Sequence, residues 1–105
     1  MAQLQRPTAA EEVRRPVVTT IGEIRPQDLV RITGVIRSKA ALSLSGCPAC
    51  RYTLTDGTGE VDLLFLGRVL IAGLETGLHC VAEGRAAARD GRIVIWNPRY
   101  QVLAS

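Results

Sequence analysis

Two stretches of this chain share one local rhythm. Val30-Arg31-Ile32-Thr33-Gly34 and Cys80-Val81-Ala82-Glu83-Gly84 each place a small or apolar residue at every second position and close the series on a glycine. A two-residue period marks a half-buried strand. A glycine inside such a strand permits the sharp coil that lets one strand bend between two sheets. A chain of 105 residues has room for a single domain and one modest core. Two strands bent at equivalent places therefore restrict it to a small, strongly coiled β architecture.

The remaining text fills in that architecture. Thr20 to Ile24 reads as one helical turn closed by Pro26, leading into the first strand, Val30 to Ile36. Ser38 to Ala49 forms a long connection, with Leu42 and Leu44 able to extend the strand. Arg51 to Thr55 alternates with Tyr52 and Leu54 on one face, and Asp56-Gly57-Thr58-Gly59 is a hairpin turn. Glu60 to Leu66 then sets Val61, Leu63 and Phe65 on one face and Asp62, Leu64 and Leu66 on the other. By parity Tyr52 and Phe65 point inward.

Val69, Leu70 and Leu74 fit a short helix stopped at Gly77. Leu78 to Arg85 is the fourth strand, Asp90-Gly91 a second hairpin turn, and Arg92 to Trp96 the fifth strand, with Arg92, Val94 and Trp96 outward. Residues 1–19 are polar, Ala-rich and interrupted by Pro7 and Pro16, and are expected to be a flexible arm. Residues 20–105 are expected to form the domain. The expected fold is all-β: a five-stranded Greek-key barrel with a short helix between strands three and four.

Composition narrows the function. Net charge is +3, carried by 13 basic residues of which Lys39 is the single lysine. That is a mild lean toward anionic partners, although an arginine-rich chain is also what a GC-rich genome writes. No window approaches the roughly 18 apolar residues of a membrane span. The first residues lack a charged start followed by an apolar run, so no secretory signal is expected. Three cysteines do not make a secreted disulfide framework. A cytoplasmic location is the expectation.

Leu29-Val30-Arg31-Ile32-Thr33-Gly34-Val35-Ile36, the Thr55-to-Gly59 turn and Phe65-Leu66-Gly67-Arg68 together resemble the OB-fold family seen in helicase wedge domains and synthetase anticodon-binding domains. The chain is most similar to small stand-alone bacterial proteins of that type, which end in a segment like Asn97 to Tyr100. The resemblance spans about residues 20 to 103. It implies a ligand face across the second and third strands, flanked by the Ser38–Ala49 and Ala86–Gly91 loops. The residues then expected to hold nucleic acid are Arg37, Lys39, Arg51, Thr53, Arg85, Arg89, Arg92 and Trp96. Guanidinium groups follow phosphates without reading bases, so the expected ligand is single-stranded DNA or RNA bound with low sequence specificity. Trp96, with Tyr100 near it, is read either as a stacking platform or as a cap on the barrel rim.

No catalytic constellation appears. His79 has no serine or carboxylate at a recognisable spacing, and no phosphate-cradling glycine loop is present. Asp56 and Asp62 read as a turn residue and a solvated strand position. No cofactor and no metal are expected. Cys47-Pro48-Ala49-Cys50 is a lone C-x-x-C. Its readings are two inert thiols, a reversible disulfide, or half of a zinc site shared between chains, since structural zinc wants four ligands. Cys80 reads as a small core residue. A second reading of the whole is a protein-interaction or self-association module using Leu64 and Leu66, with no nucleic-acid ligand.

Overall fold

The computed structural model describes residues 17–103. Among them run β1 (Val17–Val18), a 3-10 turn (Ile21–Glu23), β2 (Leu29–Leu44), β3 (Cys47–Thr55), β4 (Glu60–Leu66), β5 (His79–Arg89), β6 (Arg92–Trp96) and β7 (Arg99–Val102). β2 is antiparallel to both β5 and β3. β3 is antiparallel to β4, β4 parallel to β6, and β6 antiparallel to β5. Five strands thus close a ring in the order β2-β3-β4-β6-β5. β1 adds a short parallel pairing to β2, and β7 lies along β5.

Closure depends on one strand serving two neighbours. Val35 is opposite His79 of β5 on one edge and Thr55 of β3 on the other. Gly34 sits immediately before this joint. A Cβ there would lie 2.8 Å from the Thr55 carbonyl oxygen, closer than any real side chain tolerates. The bend that the sequence rhythm announced is therefore also a close approach of two backbones.

The predicted inward parities hold. Val30, Ile32, Ile36, Tyr52, Leu54, Val61, Leu63, Phe65, Cys80, Ala82 and Ile95 belong to one buried cluster. Tyr52 meets Phe65 edge-on with ring centroids 6.0 Å apart, and Phe65 meets Tyr100 of β7 in the same way at 5.6 Å. The turn Ile21–Glu23 is pinned across the chain. Asp56 Oδ2 accepts the Ile21 N–H, and Thr58 Oγ1 accepts the Gly22 N–H.

Three expectations are corrected. The Ser38–Ala49 connection is not a loop: β2 continues to Leu44, and β3 starts at Cys47. Ser45 and Gly46, at φ 50° and 78°, make the two-residue turn of a long hairpin. No helix forms between β4 and β5 in the described residues: Gly73, in the middle of the expected run, takes φ of 87° and breaks it. Ile71 and Leu74 of that connector are buried in the core and Leu78 packs against it, while Val69 and Leu70 stay exposed. Val17–Val18, read as arm, pairs with Val30 and Arg31; residues 1–16 of the arm lie outside the described residues. No helix among the described residues is long and apolar enough to cross a membrane.

The connector is fastened by a buried polar contact. Tyr52 Oη accepts the Ile71 N–H at 2.9 Å. Tyr52→Phe keeps the ring but leaves that N–H unpaired in the core, at a cost of about 1–3 kcal/mol. Gly34→Ala pushes a methyl into the Thr55 carbonyl, and overpacking of this kind costs about 1–3 kcal/mol. Urea unfolding is expected to show both variants with a lower midpoint and an unchanged m-value. A wild-type midpoint for Gly34→Ala would remove the close approach as the reason for the glycine.

Candidate functional site

Strand register assembles one outer face from β2, β3, β4 and β6. Directly opposite residues of neighbouring strands share a face, so Ser38, Thr53, Asp62 and Val94 form one row and Ala40, Arg51, Leu64 and Trp96 the next. Leu42, Ala49 and Leu66 continue the face toward the hairpin tip. Arg37, Ser38, Arg51, Thr53, Glu60 and Arg92 line one open depression on it.

A carboxylate organises this depression. Asp62 is 4% exposed. It accepts Arg92 Nε at 2.7 Å, Arg92 Nη2 at 2.9 Å and Thr53 Oγ1 at 2.8 Å. Glu60 takes Arg92 Nη2 at 3.3 Å and also pairs with Arg37. Burial alone would raise the Asp62 pKa. Hydrogen bonds from Arg92 and Thr53, with the fields of Arg92 and Arg51, outweigh it and hold the carboxyl below its ordinary value. The same contact raises the pKa of Arg92. Asp62 is thus not the solvated position that its outward parity implied. It is covered because it stands between Thr53 and Val94 with the Arg92 fork closed over it.

The expected site residues divide. Arg37, Arg51, Thr53 and Arg92 come together around the depression, and Trp96 lies in the row of Arg51 on the same face. Arg89 is opposite Arg92 at the β5–β6 turn, 3.6 Å from Asp90. Lys39 leaves the face. A bulge between Ile36 and Ser38 shifts the register, so Lys39 is opposite Tyr52 and its ammonium meets Glu75 of the connector at 2.6 Å. Arg85 also goes elsewhere, donating to the Gln27 carbonyl oxygen at the β2–β5 seam. Arg51 makes no ion pair within 4.0 Å among the described residues.

Apolar residues on the face differ from expectation in one respect. Leu66 is 43% exposed, but Leu64 is 1% exposed, flanked by Arg51 on one side and Trp96 on the other. Leu64 is therefore not available as a docking residue. Trp96 is 37% exposed. Tyr100 does not join it in a platform, because its ring turns to Phe65.

Cys47 is exposed at the start of β3, whereas Cys50 and Cys80 are buried. Three residues apart in an extended strand, Cys47 and Cys50 project from opposite faces, which parts the two sulfurs. Burial raises the pKa of both inner thiols, with Arg68 partly opposing this at Cys50. No group of three or more metal-ligating side chains occurs among the described residues.

No family model matches the chain, and no curated protein matches it. Solved structures do. The replication factor A related protein of Methanobacterium thermoautotrophicum aligns with a TM-score of 0.67 at 15% identity, covering 83% of this chain and 91% of that one. The second OB-fold domain of replication protein A from Methanococcus maripaludis aligns at 0.63 and 14% identity, covering 83% and 95%. The p204 HINb domain aligns at 0.65 and 13% identity, covering 97% of this chain and 55% of that one. At such identities the likeness is one of fold, and the fold is the OB-fold.

The Asp62 cluster makes a pH prediction. A carboxyl held low in the folded state contributes stability that is present above its unfolded pKa and lost as pH falls through the folded one. Asp62→Asn should cost about 1.5–3 kcal/mol at pH 7, the worth of hydrogen bonds to a charged group. Its deficit against wild type should shrink below about pH 4. Denaturant midpoints measured from pH 7 down to pH 3 check this; a constant deficit throughout would show that Asp62 is not held ionised by Arg92.

Proposed function

We propose that this protein is a non-catalytic module that holds single-stranded DNA or RNA, with low sequence specificity, on the β3–β4–β6 face. One observation carries the reading. Three arginines from three strands (Arg37, Arg51 and Arg92) meet two hydroxyl residues, Ser38 and Thr53, around a single open depression. Guanidinium and hydroxyl groups without a base-reading device suit a sugar–phosphate backbone. Trp96, along the same row as Arg51, offers an exposed indole to a base. Two of the structural neighbours are a replication factor A related protein and an OB-fold domain of replication protein A, which supports the same direction.

The arginines have unequal parts. Arg92 is forked onto Asp62, and both Arg92 and Arg37 touch Glu60. They set the shape of the depression and keep a fraction of their charge for a ligand. Arg51, with no carboxylate at ion-pair distance among the described residues, is the phosphate contact with most to give. Three cations against Glu60 and Asp62 leave a small surplus, so binding is weak and sensitive to salt.

Fluorescence anisotropy of a labelled oligothymidylate and of an RNA of equal length, at several salt concentrations, tests the proposal. Log affinity should fall linearly with log salt, by about 0.7 per phosphate contacted. Arg51→Ala should weaken binding at low salt and reduce the slope by about one such contact. Negligible binding to both oligonucleotides at low salt would remove the proposed function.

A further inference from the structure

The second half of β2 is paired on one side only. β5 accompanies β2 as far as Val35, and the Leu78 and Gly77 backbone bonds end at Ile36. From Ser38 to Leu44 the strand has β3 on one edge and no strand on the other among the described residues. The two-residue turn fixes which groups are free. In such a hairpin the flanking pair, here Leu44 and Cys47, exchanges backbone hydrogen bonds. Alternation then turns Ser38, Ala40, Leu42 and Leu44 toward β3. It leaves the N–H and C=O groups of Lys39, Ala41 and Ser43 facing outward from the edge.

We infer that this edge pairs with the same edge of a second copy of the chain, antiparallel and centred on Ala41. The sequence of the edge is self-complementary about that residue. A twofold axis through Ala41 places Ala41 opposite its own mate and Lys39 opposite Ser43, forming about six backbone hydrogen bonds. On the outer face it sets Leu42 against Ala40, so each half-buried leucine gains an apolar neighbour. The two Lys39 side chains end roughly 14 Å apart, beyond a Debye length at physiological salt. Each is also paired with its own Glu75 at 2.6 Å. The usual devices that blunt an exposed edge are missing. Ser38 to Leu44 contains neither proline nor bulge, and its only charge is already neutralised. A heterologous extended peptide could use the same N–H groups, but nothing on this edge selects one, whereas the symmetry selects a second copy.

Pairing does not depend on the nucleic-acid reading. It would join the outer faces of two copies into one continuous sheet surface, with Arg51 of each on the same side.

Cross-linking reads the register directly. In a Cys47→Ser, Cys50→Ala background, which removes the exposed native thiol and the thiol directly opposite Ala41 in the same chain, Ala41→Cys should form an intermolecular disulfide under mild oxidation. Opposed Cα atoms of a hydrogen-bonded antiparallel pair lie about 5.5 Å apart, within disulfide reach. Ser43→Cys should not cross-link, because its mate would be roughly 14 Å away. Sedimentation equilibrium should find a dimer whose dissociation constant rises about tenfold or more in Ala41→Pro. That proline removes an outward N–H and leaves the β3 pairing intact, so its unfolding midpoint should stay near wild type. A wild-type chain that is monomeric throughout the micromolar range overturns the inference. So does a dimer that Ala41→Pro leaves unchanged, or one that cross-links through Ser43→Cys as readily as through Ala41→Cys.

Discussion

Val35 is hydrogen-bonded territory for two strands at once, and the fold hangs on that double duty. With His79 on one edge and Thr55 on the other, its backbone joins the β2–β5 pair to the β2–β3 pair. Without this joint the five strands would be an open sheet with one wet face. With it, Val30, Ile32 and Ile36 of one strand reach the same core as Tyr52, Leu54, Val61 and Leu63. Gly34 permits the joint by letting the Thr55 carbonyl come within a distance that any Cβ would forbid. Cys50 and Cys80 are buried in that core as free thiols.

The bulge that follows the joint decides the chemistry of the outer surface. A side-chain period of two means that one extra residue exchanges the faces of everything after it. Up to Ile36 the even residues point to the core; beyond the bulge Ser38, Ala40, Leu42 and Leu44 stand opposite Thr53, Arg51, Ala49 and Cys47 on the outer face. Lys39 is carried away from the arginines to Glu75 by the same shift. A single backbone irregularity thus removes one cation from the depression and gives the hairpin arm its apolar outer side.

Local signals in the sequence were enough for most of the ring. The hairpin turns at Asp56–Gly59 and Asp90–Gly91, the limits of β4 and β6, and the inward rings of Tyr52 and Phe65 all follow from period and turn chemistry. What failed was non-local or depended on a residue's neighbours across strands. The bulge at Ile36–Ser38 has no residue signature, so nothing in the sequence says that Lys39 turns to Glu75 rather than to the arginines. Asp62 looked solvated because parity says only that a side chain points outward, not that an Arg 30 positions away will close over it. Leu64 looked sticky for the same reason, yet it is 1% exposed in its row between Arg51 and Trp96. The Thr53–Asp62 pairing could have been found, since the Thr55-to-Glu60 turn fixes that register; the Arg92 fork could not, because it crosses a parallel pairing reached through β5.

Carboxylates in a depression proposed to receive phosphate look like an error of design until their geometry is considered. Each long arginine side chain carries about 2 kcal/mol of rotamer entropy, and a free one must surrender much of that when it grips a ligand. Asp62 and Glu60 order Arg92 and Arg37 in the folded protein, so that loss is met on folding. The opposing effect is electrostatic: two negative charges reduce the attraction for a polyanion and add repulsion at close range. Arg51 escapes the compromise, being near enough for its field to steady Asp62 yet without an ion pair among the described residues. The arrangement separates shape from charge, with anchored arginines defining the wall and Arg51 left to supply the attraction that the proposed function requires. If it receives a polyanion as proposed, a face built in this way would discriminate poorly among sequences and release its ligand readily as salt rises.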